Sequence, residues 1–115
     1  MSRARTLWSM PPDHGAAVVR LILQDRWLQA EWCSELDDMR GRINEMRELL
    51  SAARLRLQPI RLLRGMFAVL PVSPQQVAAS RVDHGIYMPA NGRINIVGLT
   101  VENIPRLISC LPPYL

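Results

Sequence analysis

The stretch that decides the fold is Asp25 to Leu57, DRWLQAEWCSELDDMRGRINEMRELLSAARLRL. Its apolar residues fall at Leu28, Trp32, Leu36 or Met39, Ile43, Met46, Leu50, Ala53 and Leu57, in steps of three and four sustained for about four heptads. No proline interrupts the pattern before Pro59. The spacing predicts one helix of about 30 residues, roughly 45 Å long at 1.5 Å per residue. A globule of this size is narrower than that, so the helix should protrude or lie along another body. A free coiled coil would need a second chain, because only one such segment is present. Asp38, four positions before Arg42, predicts an ion pair on the exposed face. Trp27 and Trp32 lie in the stripe and read as packing residues.

On the N-terminal side, residues 1–10 have no clear period, Pro11 and Pro12 punctuate the chain, and 1–12 read as an arm. Pro12 suits a first helical turn and Asp13 places a carboxylate at the positive end of the helix dipole. Ala16, Val19 and Leu23, with Val18 and Ile22, then predict a buried stripe that runs to about Gln24. On the C-terminal side, Pro59 is expected to close the long helix. Gly65 to Leu70 reads as a short buried strand ended by Pro71. Ser73-Pro74-Gln75-Gln76 has the order of an N-cap, a first-turn proline and a capping-box glutamine, opening a helix to about Asp83. Gly85 to Met88 and Arg93 to Val97 read as two strands joined through Pro89-Ala90-Asn91-Gly92, where Asn-Gly predicts a hairpin. Thr100 caps a last helix with the stripe Ile104, Leu107, Ile108 and Leu111, stopped by Pro112-Pro113. This order predicts an α+β fold: a small, mainly antiparallel sheet covered by helices on one face, with one long helix. Residues 1–115 read as a single domain, with the arm at 1–12, the long helix at 25–57 and an α/β part at 65–111.

Composition narrows the chemistry. The 115 residues include 14 arginines and no lysine, with a net charge of +4. Without lysine the chain can supply neither a side-chain Schiff base to a carbonyl compound nor the phosphate-cradling lysine of a P-loop. It also lacks G-x-G-x-x-G and G-x-S-x-G motifs. Aromatic residues make up only 5%, so the core must come from leucine, isoleucine, valine and the six methionines. Cys33 and Cys110 form no C-x-x-C pair and read as two buried or half-buried thiols in a reducing compartment. His14 and His84 have no partner at ligand or catalytic spacing. The run Met1 to Trp8 has no apolar segment behind it, and no apolar stretch approaches membrane-spanning length, so the expected location is cytoplasmic. The basic balance raises nucleic acid as a partner, but acidic residues are interleaved with the arginines and the tryptophans sit in a helical stripe; no nucleic acid and no membrane partner is expected.

Three stretches, in order, carry a family pattern. Arg5-Thr6-Leu7-Trp8-Ser9-Met10-Pro11-Pro12, followed by His14-Gly15-Ala16, is similar to R-x-x-Y-S-x-P-P-x-x-G-A. Met39-Arg40-Gly41-Arg42-Ile43 and Met46-Arg47 resemble M-R-x-R-I-x-x-M-R. Gly65-Met66-Phe67, Gly85-Ile86-Tyr87 and Asn91-Gly92-Arg93-Ile94-Asn95-Ile96-Val97-Gly98-Leu99 are similar to G-M-F, F-G-V-Y and S-G-R-x-N-V-A-G. Together they resemble the aspartate and aromatic amino acid aminotransferases, pyridoxal-phosphate enzymes of fold type I, in their C-terminal small domain.

The resemblance implies substrate-binding roles for Arg93, Arg5 and Phe67. Arg93 matches the arginine that grips the substrate's α-carboxylate, a task suited to a planar guanidinium with two parallel donors. Arg5 matches the arginine that receives a distal carboxylate in a neighbouring subunit's site, and Phe67 matches a pocket-lining aromatic. Trp8 and Met10 depart from the family's tyrosine and asparagine. The Leu49 to Gly65 linker is several residues shorter than the family's, which bears on the edge of the sheet.

The resemblance also implies pyridoxal phosphate as cofactor of the parent enzyme, though none is expected on this chain alone, and no catalytic residue or metal ligand is expected within it. The large domain that carries the reactive lysine is absent from the sequence. The expected partners are therefore the amino acid or 2-oxo acid substrate of the parent enzyme, and a large-domain chain or a second copy covering the apolar surface. The competing reading is a non-enzymatic binding or assembly protein on the same scaffold, dimerising through the heptad helix. Read without the resemblance, Arg93 is a hairpin arginine in solvent and Phe67 a core residue.

Overall fold

The computed structural model describes residues 12–113. They form helix α1 (His14–Gln24), helix α2 (Arg26–Ala53), a 3-10 helix η1 (Leu55–Leu62), strand β1 (Phe67–Val69), helix α3 (Pro74–His84), strand β2 (Arg93–Asn95), a short 3-10 helix η2 (Ile96–Gly98) and helix α4 (Asn103–Ser109). The result is mostly helical, with one two-stranded antiparallel sheet. Two compact units are present, residues 1–38 and 39–115.

In the first unit a single residue separates two helices. Asp25 leaves the helical conformation (φ −97°, ψ 117°) while its amide still donates to Leu21 O at 3.2 Å. Its Oδ1 then accepts from the amides of Trp27 (2.8 Å) and Leu28 (3.1 Å), satisfying two of the free donors at the start of α2. Helix α1 starts after Asp13, which is its N-cap residue rather than part of its first turn and makes no side-chain cap bond. The predicted buried stripe of α1 is corrected: no residue of this helix is buried, and Val18, Val19 and Leu23 are exposed. Periodicity reports which residues share a face and says nothing of whether another surface covers it.

The second unit holds the core. Met46 and Leu50 of α2 pack with Leu57 and Ile60 of η1, Ala68 and Leu70, Ile96 and Leu99, and Ile104, Leu107 and Leu111 of the last helical segment. Burial in α2 is confined to Met46, Arg47, Leu50 and Ser51. Trp27, Trp32, Leu36 and Met39 are exposed, so the earlier part of the apolar stripe does not act as packing.

The long helix also ends earlier than expected, at Ala53 rather than Leu57, because Pro59 acts backwards along the chain. Its ring would clash with the carbonyl four residues earlier, that of Leu55, and it disfavours helical geometry at Gln58. Arg54 turns extended (φ −149°, ψ 145°), and residues 55–62 continue in tighter 3-10 turns that still bury Leu57.

Helix α3 starts as predicted. Ser73 Oγ accepts from the Gln76 amide at 3.3 Å and Gln76 Oε1 accepts from the Ser73 amide at 2.8 Å. It ends at Gly85 (φ 64°), whose amide donates to Arg81 O while the next amide, that of Ile86, donates to Ser80 O, a closure that needs a left-handed residue.

The expected strand at Gly85 to Met88 is not formed, and no hairpin joins it to Arg93. Asn91-Gly92 instead ends a turn closed by Gly92 N to Pro89 O at 2.9 Å, after which β2 pairs with β1. The run 93–97 is a strand only to Asn95, because the Asn95 side chain accepts from the Val97 amide at 3.1 Å and opens η2. Thr100 caps a turn ahead of α4 rather than the helix itself: its Oγ1 accepts from the Asn103 amide at 3.2 Å, and Asn103 Oδ1 accepts from the Thr100 amide at 2.8 Å.

Candidate functional site

The β1/β2 ladder is three residue pairs long, with Phe67 opposite Asn95, Ala68 opposite Ile94 and Val69 opposite Arg93. Strand side chains alternate between faces, so Ala68 and Ile94 turn into the core while Phe67, Val69, Arg93 and Asn95 share the outer face. The ladder is extended at both ends, by Ile96 N to Met66 O (2.8 Å) and Leu70 N to Gly92 O (3.0 Å).

Two local features aim Arg93. Gly92 adopts φ 72°, and a Cβ there would lie 2.8 Å from Val72 Cγ2 and 2.9 Å from Leu70 O. Only glycine fits that approach. Asn91 Oδ1 then accepts the Arg93 amide at 3.1 Å. The guanidinium of Arg93 lies over the Phe67 ring, with Cζ 4.9 Å from the ring centroid. Such a contact contributes about 0.5–1 kcal/mol at an exposed site. It also sets the guanidinium beside an apolar wall, and no described residue accepts a hydrogen bond from its side chain. Among the described residues Arg93 has no ion pair.

The structure thus brings together two of the three predicted substrate-binding residues. Phe67 is half exposed beside Arg93 rather than core. Arg5, with Trp8 and Met10, lies outside the described residues. His14 opens α1 and His84 closes α3, both exposed. Cys33 is exposed and Cys110 half-buried, and both are free, which corrects the expectation of a buried or half-buried Cys33. Among the described residues no group of three or more His, Cys, Asp or Glu could hold a metal ion. No described helix is long and apolar enough to cross a membrane.

Arg42 supplies what sequence reasoning missed. The expected pair with Asp38 is not formed. Nη1 donates to Val97 O at 3.1 Å and Nη2 to Leu99 O at 2.9 Å, tying α2 to the backbone immediately after β2. One planar fork thereby satisfies two carbonyls around the end of η2. An i, i+4 rule sees only neighbours on one helix, and no local signal points to acceptors 55 and 57 residues away.

The comparisons with known proteins agree on one family. The family model for aminotransferase class I and II matches residues 1–111. A tyrosine aminotransferase of Rhizobium meliloti is 52% identical over 100 residues, 84% of this chain and 26% of that protein. An aspartate aminotransferase of Escherichia coli is 37% identical over 113 residues, 93% of this chain and 28% of that protein. Among solved structures, an aromatic-amino-acid aminotransferase from Burkholderia pseudomallei, covalently bound to pyridoxal phosphate, superposes with a TM-score of 0.81 at 37% identity, covering 92% of this chain and 28% of that one. The chain therefore spans between 26% and 28% of the length of these relatives.

Proposed function

The chain belongs to the aminotransferase class I and II family, and from that premise we propose that it is the substrate-carboxylate-binding part of an aspartate or aromatic amino acid aminotransferase. Its placement as the C-terminal small domain of such an enzyme is part of this proposal and rests on the order of the three motifs. Arg93 receives the substrate's α-carboxylate through two parallel N–H donors, and Phe67 forms the apolar wall beside the guanidinium. Arg5 receives the distal carboxylate of a dicarboxylic substrate in a neighbouring subunit. The observation that carries the reading is the Arg93 guanidinium over Phe67 on an outer sheet face, aimed by Asn91 and Gly92 and without a carboxylate partner among the described residues.

Pyridoxal phosphate supplies the electron sink for amino-group transfer in such enzymes. The residues of this chain do not fit the covalent attachment, which takes a lysine amine, since none of the 115 residues is lysine. By itself the chain binds and orients a carboxylate and does not transaminate. The exposed apolar residues Val19, Leu23, Trp27 and Trp32 support a cover by the remainder of the enzyme or by a second copy. They also favour the second reading, an assembly protein that associates through the long helix.

The test replaces the matching segment of the Rhizobium tyrosine aminotransferase with this chain and measures transamination. Two charge-assisted bonds in a water-excluded site contribute about 1.5–3 kcal/mol each, so Arg93→Leu should lower kcat/KM by roughly 10²- to 10⁴-fold. Arg93→Lys, which keeps the charge and loses the fork, should recover only part of it. In the assembly reading neither substitution changes the rate, and a loss below tenfold for Arg93→Leu refutes the carboxylate role.

A further inference from the structure

Beside the C-terminal half of α2 lies a cleft of about 350 Å³ whose polar lining is Asn44, Arg47, Glu48, Arg61 and Arg64. Arg47 is only 4% exposed. Its Nη1 donates to Asn44 Oδ1 at 2.8 Å and its Nη2 to the carbonyl of Gly65, while its Nε is buried with no acceptor. Both acceptors are neutral, so the guanidinium is held inside the fold without a counter-charge, an arrangement that raises the local positive potential. Arg61 is exposed and bonded through Nε to Glu48 Oε1 at 2.8 Å. Arg64 is exposed and has no hydrogen bond or ion pair among the described residues.

We infer that this cleft binds a phosphate group. Three arginines and one glutamate line the cleft, a net of two positive charges. A phosphomonoester near pH 7 carries about −1.5 to −2 and offers three acceptor oxygens, matching the uncompensated charge and the free donors of Arg64 and Arg61. A carboxylate ligand would neutralise only half of it. The cleft owes its second wall to η1 and the two residues after it, and the inference does not depend on the role given to Arg93.

The experiment titrates the full chain with inorganic phosphate at constant ionic strength set by sodium chloride, following arginine Nε–H resonances and the melting temperature. A saturable shift at Arg47, Arg61 and Arg64, absent in chloride alone, is expected. Arg64→Gln should weaken binding about tenfold, the loss of one charge-assisted contact. Glu48→Gln should strengthen it several-fold by releasing Arg61 and removing the opposing charge. Both side chains are exposed, so the fold should persist in each variant. Glycerol phosphate affinity should fall between about pH 7.5 and 5.5, across the second ionisation of a phosphomonoester near 6, while sulfate affinity stays level. Glycerol phosphate binding as tightly as inorganic phosphate assigns the site to a phosphomonoester; binding of inorganic phosphate alone assigns it to the free ion. A response equal to that in chloride, or an affinity that neither substitution changes, overturns the inference.

Discussion

Replacing Gly92 with alanine should unfold the corner that aims Arg93, and the structure separates the two reasons. Gly92 sits at φ 72°, where an L-residue is disfavoured by about 1–2 kcal/mol. Its new Cβ would meet Val72 Cγ2 at 2.8 Å and Leu70 O at 2.9 Å. The carbonyl cannot swing away freely, because it accepts the Val72 amide at 2.8 Å while the Leu70 amide donates to Gly92 O at 3.0 Å. Forcing a methyl into such a contact adds about 1–3 kcal/mol, so the substitution should destabilise by roughly 2–5 kcal/mol in all. For a domain whose whole stability is about 5–15 kcal/mol, that is a large fraction. Gly85 is the control. It has φ 64° with nothing within 4 Å of an added Cβ, so Gly85→Ala carries the conformational part alone. Urea unfolding of the two variants should show midpoints lowered with unchanged slopes, Gly92→Ala clearly the lower. The double variant Val72→Ala/Gly92→Ala should regain little, since the carbonyl contact survives and Val72 packs against the core. If Gly92→Ala is no worse than Gly85→Ala, the close approach at this corner is refuted, and with it the account of how Arg93 is aimed.

Two further outcomes follow from the bonds around η2 and α4. Arg42→Met removes both donors to Val97 O and Leu99 O and should lower stability by about 1–3 kcal/mol. Arg42→Lys should restore less than half of that, and a change within about 0.5 kcal/mol for Arg42→Met would show the tether to be idle. Glu102 is held below the usual carboxylate range by the hydrogen bond from Thr100 and then by its own backbone amide. A depressed folded-state value means that the contribution is present at neutral pH and is lost as pH falls through the folded value. Glu102→Gln should therefore flatten the fall of the urea midpoint between about pH 5 and pH 3, and an unchanged profile would count against the bond.

The elements that could be read in advance are those whose cause is local. The Ser73/Gln76 capping box, the break at Asp25 and the stripe Ile104, Leu107, Leu111 each depend on residues within one or two turns. What could not be read depends on distant partners. The run Gly85 to Met88 has strand-forming residues, yet a strand exists only where a second one pairs with it, and this run has no ladder partner among the described residues. The α1 stripe has helical spacing, yet the spacing carries no information on what covers it. For the candidate site, the motifs placed Arg93 and Phe67 near one another in function, but the alternation that sets both on one face follows from a register that only the pairing of Val69 with Arg93 defines.

The absence of lysine takes on a different meaning beside these contacts. Arg42 spans two carbonyls, Arg93 and Arg81 lie over the rings of Phe67 and Tyr87, and Arg47 reaches Asn44 and Gly65 with separate nitrogens. An ammonium is a compact, strongly hydrated point charge; it cannot present two donors in one plane across such gaps or stack face to face. Each contact therefore uses the shape of the guanidinium as well as its charge. The same property separates the fates of Arg47 and Arg93. Arg47 is buried on two neutral acceptors without a counter-charge, and its field falls on the cleft. Arg93 carries the same permanent charge on an open face, where water screens it strongly. A carboxylate held there would gain little until something excludes that water, so in the proposed role the strength of binding at Arg93 should be set by the surface that closes over the sheet rather than by the arginine itself.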